Sequence, residues 1–266
     1  MRKRYLLSLW LLTAAGYCPA QSQKDSLPPV FNGYFKSVLY DAGEMALFPR
    51  NLQKKDVWFA AGGLCLIGGS MLADESLEME MRKEGNRNVF DHQVVRYGIE
   101  PWGSGWYPAL FSVGCYSAGL LKHNRDLQYA AMFQMKTLAL AMVVTGGAKL
   151  LFQRHRPDEQ IKPDPFVFEG PFKGFTNHYS FPSGHTFKAF AWASATSSSL
   201  DGHTGLKIAV YTLAALTGAS RIYEGKHWLS DVTAGAVLGY AFGRFSWRIQ
   251  KYYDERTFIR HRKHSR

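Results

Sequence analysis

Residues 127–153 read LQYAAMFQMKTLALAMVVTGGAKLLFQ, a largely apolar run with the length and composition of an α-helix. Similar apolar stretches occur at residues 57–73, 107–121, 186–200, 206–219 and 229–247. Small residues within them predict close helix packing: Gly62, Gly63, Gly68, Gly69, Gly146, Gly147, Gly235 and Gly239. No stretch shows the sustained apolar–polar alternation between hairpin turns that strands would give. The sequence therefore predicts an all-α fold, a compact bundle of about six core helices.

The first twenty residues have the pattern of a signal peptide. A positive start precedes the apolar run 6–16, which is short for a membrane span, and a small-residue cleavage site follows at Cys18-Pro19-Ala20. The alternative is an uncleaved membrane anchor. The pattern predicts export to the bacterial cell envelope, in the periplasm, with membrane association and integral insertion both left open. Export would permit a disulfide between Cys65 and Cys115, but their apolar surroundings favour buried free thiols.

The flanks of the predicted bundle are polar. Residues 21–55 are predicted to form an N-terminal arm, and residues 248–266 a basic C-terminal tail. The chain carries a formal net charge of +11, and much of it lies near this tail. Such a tail suits an anionic membrane surface or anionic substrates, with a solvated terminus as the alternative. The tail has no recognisable nucleic-acid readout motif, so we expect no nucleic-acid partner.

Whether the helices cross a membrane is a separate question. A span needs about 20 mostly apolar residues, and the stretch 57–73 has fewer, while polar residues interrupt the others. The mean hydropathy of −0.21 is low for a protein with six spans. Aromatic residues near helix ends, which could form interfacial belts, argue the other way. The balance favours a globular bundle that is attached to a membrane or free of it.

The first of three polar stretches lies at the end of the run 127–153. Lys149 and Arg156 are seven residues apart, so on a continuous helix they would project from nearly one face. Pro157 disfavours a helical conformation at Arg156, so the helix is expected to end there. Two cations at a helix end could hold a multiply charged anion, although such pairs commonly only complement the helix dipole.

The second stretch, at residues 181–186, is a Pro-Ser-Gly turn that leads into a helix. A helix N-terminus offers free N–H groups and a partial positive charge, which suit phosphate. The Ser183 hydroxyl could add a hydrogen bond, and Gly184 would let the backbone approach closely, with His185 beside the bound group. The alternative is a plain helix cap by Ser183.

The third stretch contains Arg221, His227 and Asp231. Because His227 and Asp231 are four residues apart, they are predicted to share one face of a helix. A carboxylate that accepts one ring N–H fixes the tautomer and raises the basicity of the other nitrogen, which an activated nucleophile needs. Arg221 offers a planar fork for phosphate oxygens. A His–Asp pair that only stabilises the helix is the alternative.

Antiparallel helices would bring all three stretches to one end of the bundle, so the order of the motifs predicts a single pocket. The pattern Lys149-x6-Arg156-Pro157, Pro182-Ser183-Gly184-His185 and Ser220-Arg221-x5-His227-x3-Asp231 resembles the type 2 phosphatidic acid phosphatase (PAP2) superfamily. That superfamily includes class A acid phosphatases, lipid-phosphate phosphatases and vanadium haloperoxidases. The resemblance extends over about residues 55–247, and we assign a PAP2-type phosphatase domain to residues 56–247.

The resemblance implies a role for each motif residue. Phosphoryl oxygens would be held by Lys149, Arg156, Ser183, Gly184 and Arg221. The nucleophile would be His227, which forms a phosphohistidine and is oriented by Asp231, while His185 protonates the leaving oxygen. No cofactor is implied. The histidines form no HExxH motif and no cysteine cluster, so a catalytic metal is not indicated. His92, His123, His155, His178 and His203 are expected to be ordinary polar residues.

Several functions stay open within this resemblance. A lipid-linked phosphate is favoured: a lipid A phosphate, a phosphatidylglycerol phosphate, phosphatidic acid or a polyprenyl diphosphate. The first alternative is a soluble periplasmic acid phosphatase that acts on small phosphomonoesters. Another is a vanadate-dependent haloperoxidase, although those proteins are generally longer. The last is an envelope protein that binds phosphate without hydrolysing it. The oligomeric state is not predicted.

Overall fold

The computed structural model describes residues 34–47, 53–83, 92–159, 161–162, 164–173, 178–200 and 203–264. Eight helices of eight or more residues lie in these ranges. They are α1 (Tyr34–Ala46), α2 (Lys54–Met71), α3 (Asp74–Arg82), α4 (Trp106–Leu121), α5 (Arg125–Phe152), α6 (Gly184–Ser199), α7 (Thr204–Tyr223) and α8 (Leu229–His264). Short helical turns link α3 to α4, and the described ranges contain one isolated β-bridge, Arg154–Phe168, and no strand. The predicted all-α fold is confirmed.

The six predicted helices correspond to α2, α4, α5, α6, α7 and α8. Local chemistry sets their starts: the Asn124 side chain accepts the Leu127 N–H at the start of α5, and Ser183 caps α6 in the same way. Two helices, α1 and α3, lie outside the six apolar stretches. The last helix continues to His264, so the predicted basic tail extends α8. The predicted signal peptide lies outside the described residues, and the domain boundaries remain predictions.

Helix α6 is the centre of the bundle and packs against α5, α7 and α8. Its side chains are small, apart from large residues such as Trp192, which is buried at the centre of the main apolar cluster. Along α8, a Cβ added at Gly239 would lie 2.3 Å from the Phe187 carbonyl oxygen of α6. Glycine is therefore required for the two helix backbones to approach this closely, as predicted.

The prediction of close packing is wrong for five of the eight glycines. A Cβ added at any of these five would meet nothing within 4 Å: Gly62, Gly68, Gly69, Gly146 and Gly147. They lie on α2 and α5, whose outward faces carry large exposed apolar side chains such as Trp58, Leu64 and Val143. The sequence pattern did not distinguish a small residue at a helix contact from a small residue on such a face.

Among the residues that the structure describes, one helix, α5, is long and apolar enough to cross a membrane, and α2 with α3 would form a second, bent candidate. The polar residues that interrupt its apolar run therefore leave α5 as a candidate span. One of the interrupting residues, Lys136, is buried and lies 2.7 Å from the Asp41 carboxylate on α1, so it adds no exposed charge to the surface of α5.

The two cysteines within the described ranges do not form a disulfide with each other. Cys115 is buried in the main core, whereas Cys65 is exposed on α2. The expectation of a buried thiol is correct for Cys115 and wrong for Cys65, because the apolar stretch that contains Cys65 turns most of its residues outward.

Candidate active site

The first polar stretch does not continue the helix as predicted. Helix α5 ends at Phe152, and Gln153 adopts a left-handed conformation with φ of 44°. Lys149 lies in the last turn of α5, while Arg156 lies beyond the helix in an irregular segment. The prediction that both cations project from one helical face is therefore wrong in its geometry. Both side chains nevertheless line the same cavity.

The second stretch forms the start of α6, as predicted. Ser183 is fully buried, and its hydroxyl caps the helix by accepting hydrogen bonds from the backbone N–H and the side chain of Thr186. A Cβ added at Gly184 would lie 3.3 Å from Cε and 3.5 Å from Nζ of Lys149. The ammonium group of Lys149 thus lies close to the amino end of α6, so the first two stretches meet.

The third stretch turns between α7 and α8. Arg221 lies in the last turn of α7, and Gly225 takes the positive φ of 67° that the turn requires. His227 precedes α8, whereas Asp231 lies in its first turn, so the two are not on one helical face as predicted. Their side chains still meet: His227 Nδ1 is 3.6 Å from Asp231 Oδ2.

Asp231 is fully buried behind His227. One of its oxygens accepts a hydrogen bond from the Arg154 guanidinium group at 2.5 Å. The other oxygen accepts one hydrogen bond from the Ser180 hydroxyl at 2.5 Å and a second from the Trp228 backbone N–H at 2.9 Å. Burial alone would raise the pKa of Asp231, but His227, Arg154 and Ser180 together hold that pKa below its usual value. The carboxylate is therefore ionised, and its contacts fix its position.

The same surroundings keep the ring of His227 neutral. Burial lowers the pKa of His227, and the nearby Asp231 carboxylate only partly opposes this. The Nδ1 atom lies 3.4 Å from the Ser180 hydroxyl and faces Asp231, which leaves Nε2 as the nitrogen able to attack. A buried, neutral imidazole steered by a carboxylate can act as a nucleophile at neutral pH.

The three stretches together line one cavity of about 530 Å³. Five of the eight predicted site residues line it, namely Lys149, Arg156, His185, Arg221 and His227. The other three, Ser183, Gly184 and Asp231, are buried next to these residues. The Nε atom of Arg156 is buried and has no hydrogen-bond partner within the described part of the chain. A bound anion could accept that hydrogen bond.

Two further residues shape the site and were not predicted. Arg154 is fully buried, and its guanidinium group bridges Asp231 and Asp74 of α3, at 2.5 and 2.8 Å. Glu100 lies 3.4 Å from Arg221 and 3.9 Å from His185 at the edge of the cavity. Arg154 lies between two predicted cations and could have been suspected from that position, whereas nothing in the local pattern marks Asp74 or Glu100.

Comparison with known proteins agrees with this geometry. The family model of the PAP2 superfamily matches residues 130–255, so this part of the chain is similar to that superfamily. The resemblance stated from the motifs is confirmed.

Two curated relatives and one solved structure are similar to the chain. A lipid A 1-phosphatase of Porphyromonas gingivalis is 35% identical over 116 residues, which are 42% of this chain and 22% of that protein. A PA-phosphatase related-family protein of Dictyostelium discoideum is 28% identical over 214 residues, covering 71% and 76% of the two chains. The crystal structure of a transmembrane PAP2-type phosphatidylglycerolphosphate phosphatase from Bacillus subtilis superposes with a TM-score of 0.54 at 20% identity, covering 77% of this chain and 98% of that one. The chain thus spans about a fifth of the length of the Porphyromonas protein.

Proposed function

We propose that the chain is a phosphatase that hydrolyses a lipid-linked phosphomonoester through a phosphohistidine on His227. One observation carries the proposal: three distant segments meet at one cavity, where a buried imidazole backed by a carboxylate faces Lys149, Arg156 and Arg221. Phosphoryl transfer depends chiefly on positioning and on stabilising charge at the phosphoryl oxygens. Three cations and the amino end of α6 supply both.

In the first step, Nε2 of His227 attacks phosphorus, and the bond from phosphorus to the ester oxygen breaks. The leaving oxygen takes a proton from His185. In the second step a water attacks the phosphohistidine, the P–N bond breaks and inorganic phosphate leaves. His185 accepts the proton of that water and passes it to the departing phosphate, so the empty site again holds a neutral His185.

His185 has to carry a proton for the first step. In the empty site, burial and the charges of Arg221 and Lys188 lower the pKa of His185 far below its usual value. A phosphate that binds among the same cations neutralises their charge, so substrate binding favours the protonated ring. We therefore expect the proton to arrive with a substrate that binds as the monoanion.

The surface of the bundle favours a lipid-linked substrate. Exposed apolar side chains lie along α2, α5 and α7, including Leu64, Leu151 and Ile208. In the segment between α5 and α6, Phe172 is 98% exposed, and Phe168 packs edge-on against Phe181 beside the start of α6. A surface of this kind suits attachment to a membrane, where a lipid headgroup could enter the cavity. The lipid phosphatases named among the relatives are in keeping with this class.

The location in the envelope rests on the sequence pattern and stays a prediction. The apolar faces and the candidate span α5 support contact with a membrane. The basic end of the chain would add attraction to an anionic lipid surface.

The proposal is tested by phosphate release from purified protein in detergent micelles with EDTA present. The substrates are phosphatidic acid, phosphatidylglycerol phosphate, lipid A and a water-soluble phosphomonoester. Variant His227→Asn should lose turnover, and His123→Asn should keep it. His123 makes a matched control because it is exposed and takes a φ of 51°, a conformation that asparagine tolerates.

Each outcome decides between the candidate functions. Release from one or more lipids but slow release from the soluble ester supports the proposal. Preference for the soluble ester would favour an acid phosphatase, and binding of phosphate without any release would favour a non-catalytic protein. Full turnover in His227→Asn would overturn the mechanism.

A further inference from the structure

A second cluster of ionisable side chains lies beside the cavity, in the irregular segments after α5 and before α6. His155, Glu159 and His178 each present a ligand atom, and these three atoms all lie within 4.8 Å of one another. None of the three side chains lines the phosphate cavity. The cluster is therefore a separate site that the proposed phosphatase mechanism does not use.

The chemistry of the cluster is that of a transition-metal site. His178 Nδ1 lies 2.9 Å from Glu159 Oε2, and the rings of His155 and His178 are stacked with their centroids 3.6 Å apart. Two imidazoles and one carboxylate form a common ligand set for zinc, with a water in the fourth position. Metal–ligand distances of about 2.0–2.2 Å imply that neighbouring ligand atoms are about 3.4 Å apart. The two stacked rings would have to tilt apart for both imidazole lone pairs to point at one ion.

The residues around the cluster favour metal binding by His155. Its Nε2 atom lies 3.1 Å from the Glu169 carboxylate, which favours the tautomer with the proton on Nε2. The lone pair then lies on Nδ1, the nitrogen that can bind a metal. A carboxylate behind a metal-binding histidine is the usual outer contact in zinc proteins.

The backbone holds this arrangement in place. The His155 N–H donates to the Val167 carbonyl at 3.1 Å, and the Glu169 N–H donates to the Gln153 carbonyl at 3.1 Å. The indole N–H of Trp228 donates to the His155 carbonyl oxygen at 2.9 Å. Both His155 and its carboxylate partner therefore lie on segments that backbone hydrogen bonds join on either side of the Arg154–Phe168 bridge. Such pre-organisation lowers the cost of assembling a metal site.

We propose that His155, His178 and Glu159 bind one divalent transition-metal ion, zinc being the best match, with Glu169 as the outer partner of His155. The backbone N–H of Arg156 donates to Glu159 Oε2 at 3.1 Å, so the bound ion would hold the segment that carries a phosphate-binding residue. The proposed phosphatase reaction does not use this ion, so phosphate release in EDTA should not depend on it.

The test uses the full chain, without an affinity tag, after removal of metal by EDTA and exchange into chelator-free buffer. Calorimetric titration with Zn²⁺ should show saturable binding of one zinc ion per chain. Co²⁺ should give visible absorption bands of a low-symmetry site and should quench the fluorescence of Trp228, whose indole contacts His155. Zn²⁺ should reverse both signals.

The substitutions Glu159→Gln and His178→Ala should each abolish the saturable binding of this zinc ion. Glu169→Gln should weaken binding by about 10–100-fold, as loss of an outer-shell partner does. The exposed His123→Asn should bind as the unmodified chain does, and circular dichroism checks that each variant is folded. An unmodified chain that shows no saturable binding would overturn the proposal. So would unchanged binding in Glu159→Gln and His178→Ala. Phosphate release is measured separately, so failure here leaves the proposed function untouched.

Discussion

Replacing Arg154 by methionine should destabilise the protein more than any surface ion pair could. The guanidinium group is fully buried and donates to Asp231 at 2.5 Å, to Asp74 at 2.8 Å, and to the Pro165 carbonyl oxygen at 2.9 Å. Methionine keeps much of the side-chain volume but leaves two buried carboxylates without their cation. Breaking a buried pair in this way costs about 3–5 kcal/mol. At about 2–4 °C per kcal/mol, Tm should fall by about 6–20 °C.

Arg248→Met is the matched control, because Arg248 forms an ion pair with the Asp56 carboxylate at 2.9 Å. Like Arg154, Arg248 lies over an aromatic ring. That pair is partly exposed, and exposed pairs contribute about 0–1 kcal/mol. Thermal unfolding followed by circular dichroism compares the two variants in the same detergent. Equal values of Tm for the two variants would refute the inference that the buried ion pairs of Arg154 stabilise the site.

Two further perturbations test the site and the helix packing. Asp231→Asn should lower kcat by roughly 10²–10⁴-fold. Because Asp231 raises the pKa of His227 against the effect of burial, its loss should also move the acid limb of the kcat/KM profile to lower pH; a shift to higher pH would contradict the assignment. Gly239→Ala should cost about 1–3 kcal/mol of stability, since its Cβ would lie 2.3 Å from the Phe187 carbonyl oxygen. Gly68→Ala, which meets nothing within 4 Å, should be neutral or gain up to about 1 kcal/mol, and comparable losses in the two variants would rule out the close helix contact.

The sequence was sufficient to predict six of the eight longer helices in the described ranges and the three stretches that meet at the cavity, because both follow from local patterns. Apolar runs mark helices regardless of how the helices pack. The motif residues were found because short spacings, such as four residues between His227 and Asp231, place side chains near one another in several backbone conformations. This explains why the two residues meet even though His227 precedes α8.

The contacts that support the site could not be predicted in the same way. Asp74 reaches Arg154 across 80 residues of sequence, and Glu100 reaches Arg221 across 121. Such contacts depend on how α3 and the short turns before α4 pack against the bundle, which no local pattern specifies. The end of α5 was misplaced for a related reason. Pro157 predicts a helix end near Arg156, but the left-handed Gln153 ends the helix earlier.

The most direct measurement of the central claim is the site of covalent phosphorylation during turnover. The protein is mixed with excess lipid phosphate and quenched with alkali, in which phosphohistidine is stable, and its peptides are mapped by mass spectrometry. A phosphoryl group is expected on the peptide that contains His227, and none is expected on that peptide in His227→Asn. A phosphoryl group on Ser183 or His185 instead, or rapid turnover with His227 never modified, would contradict it.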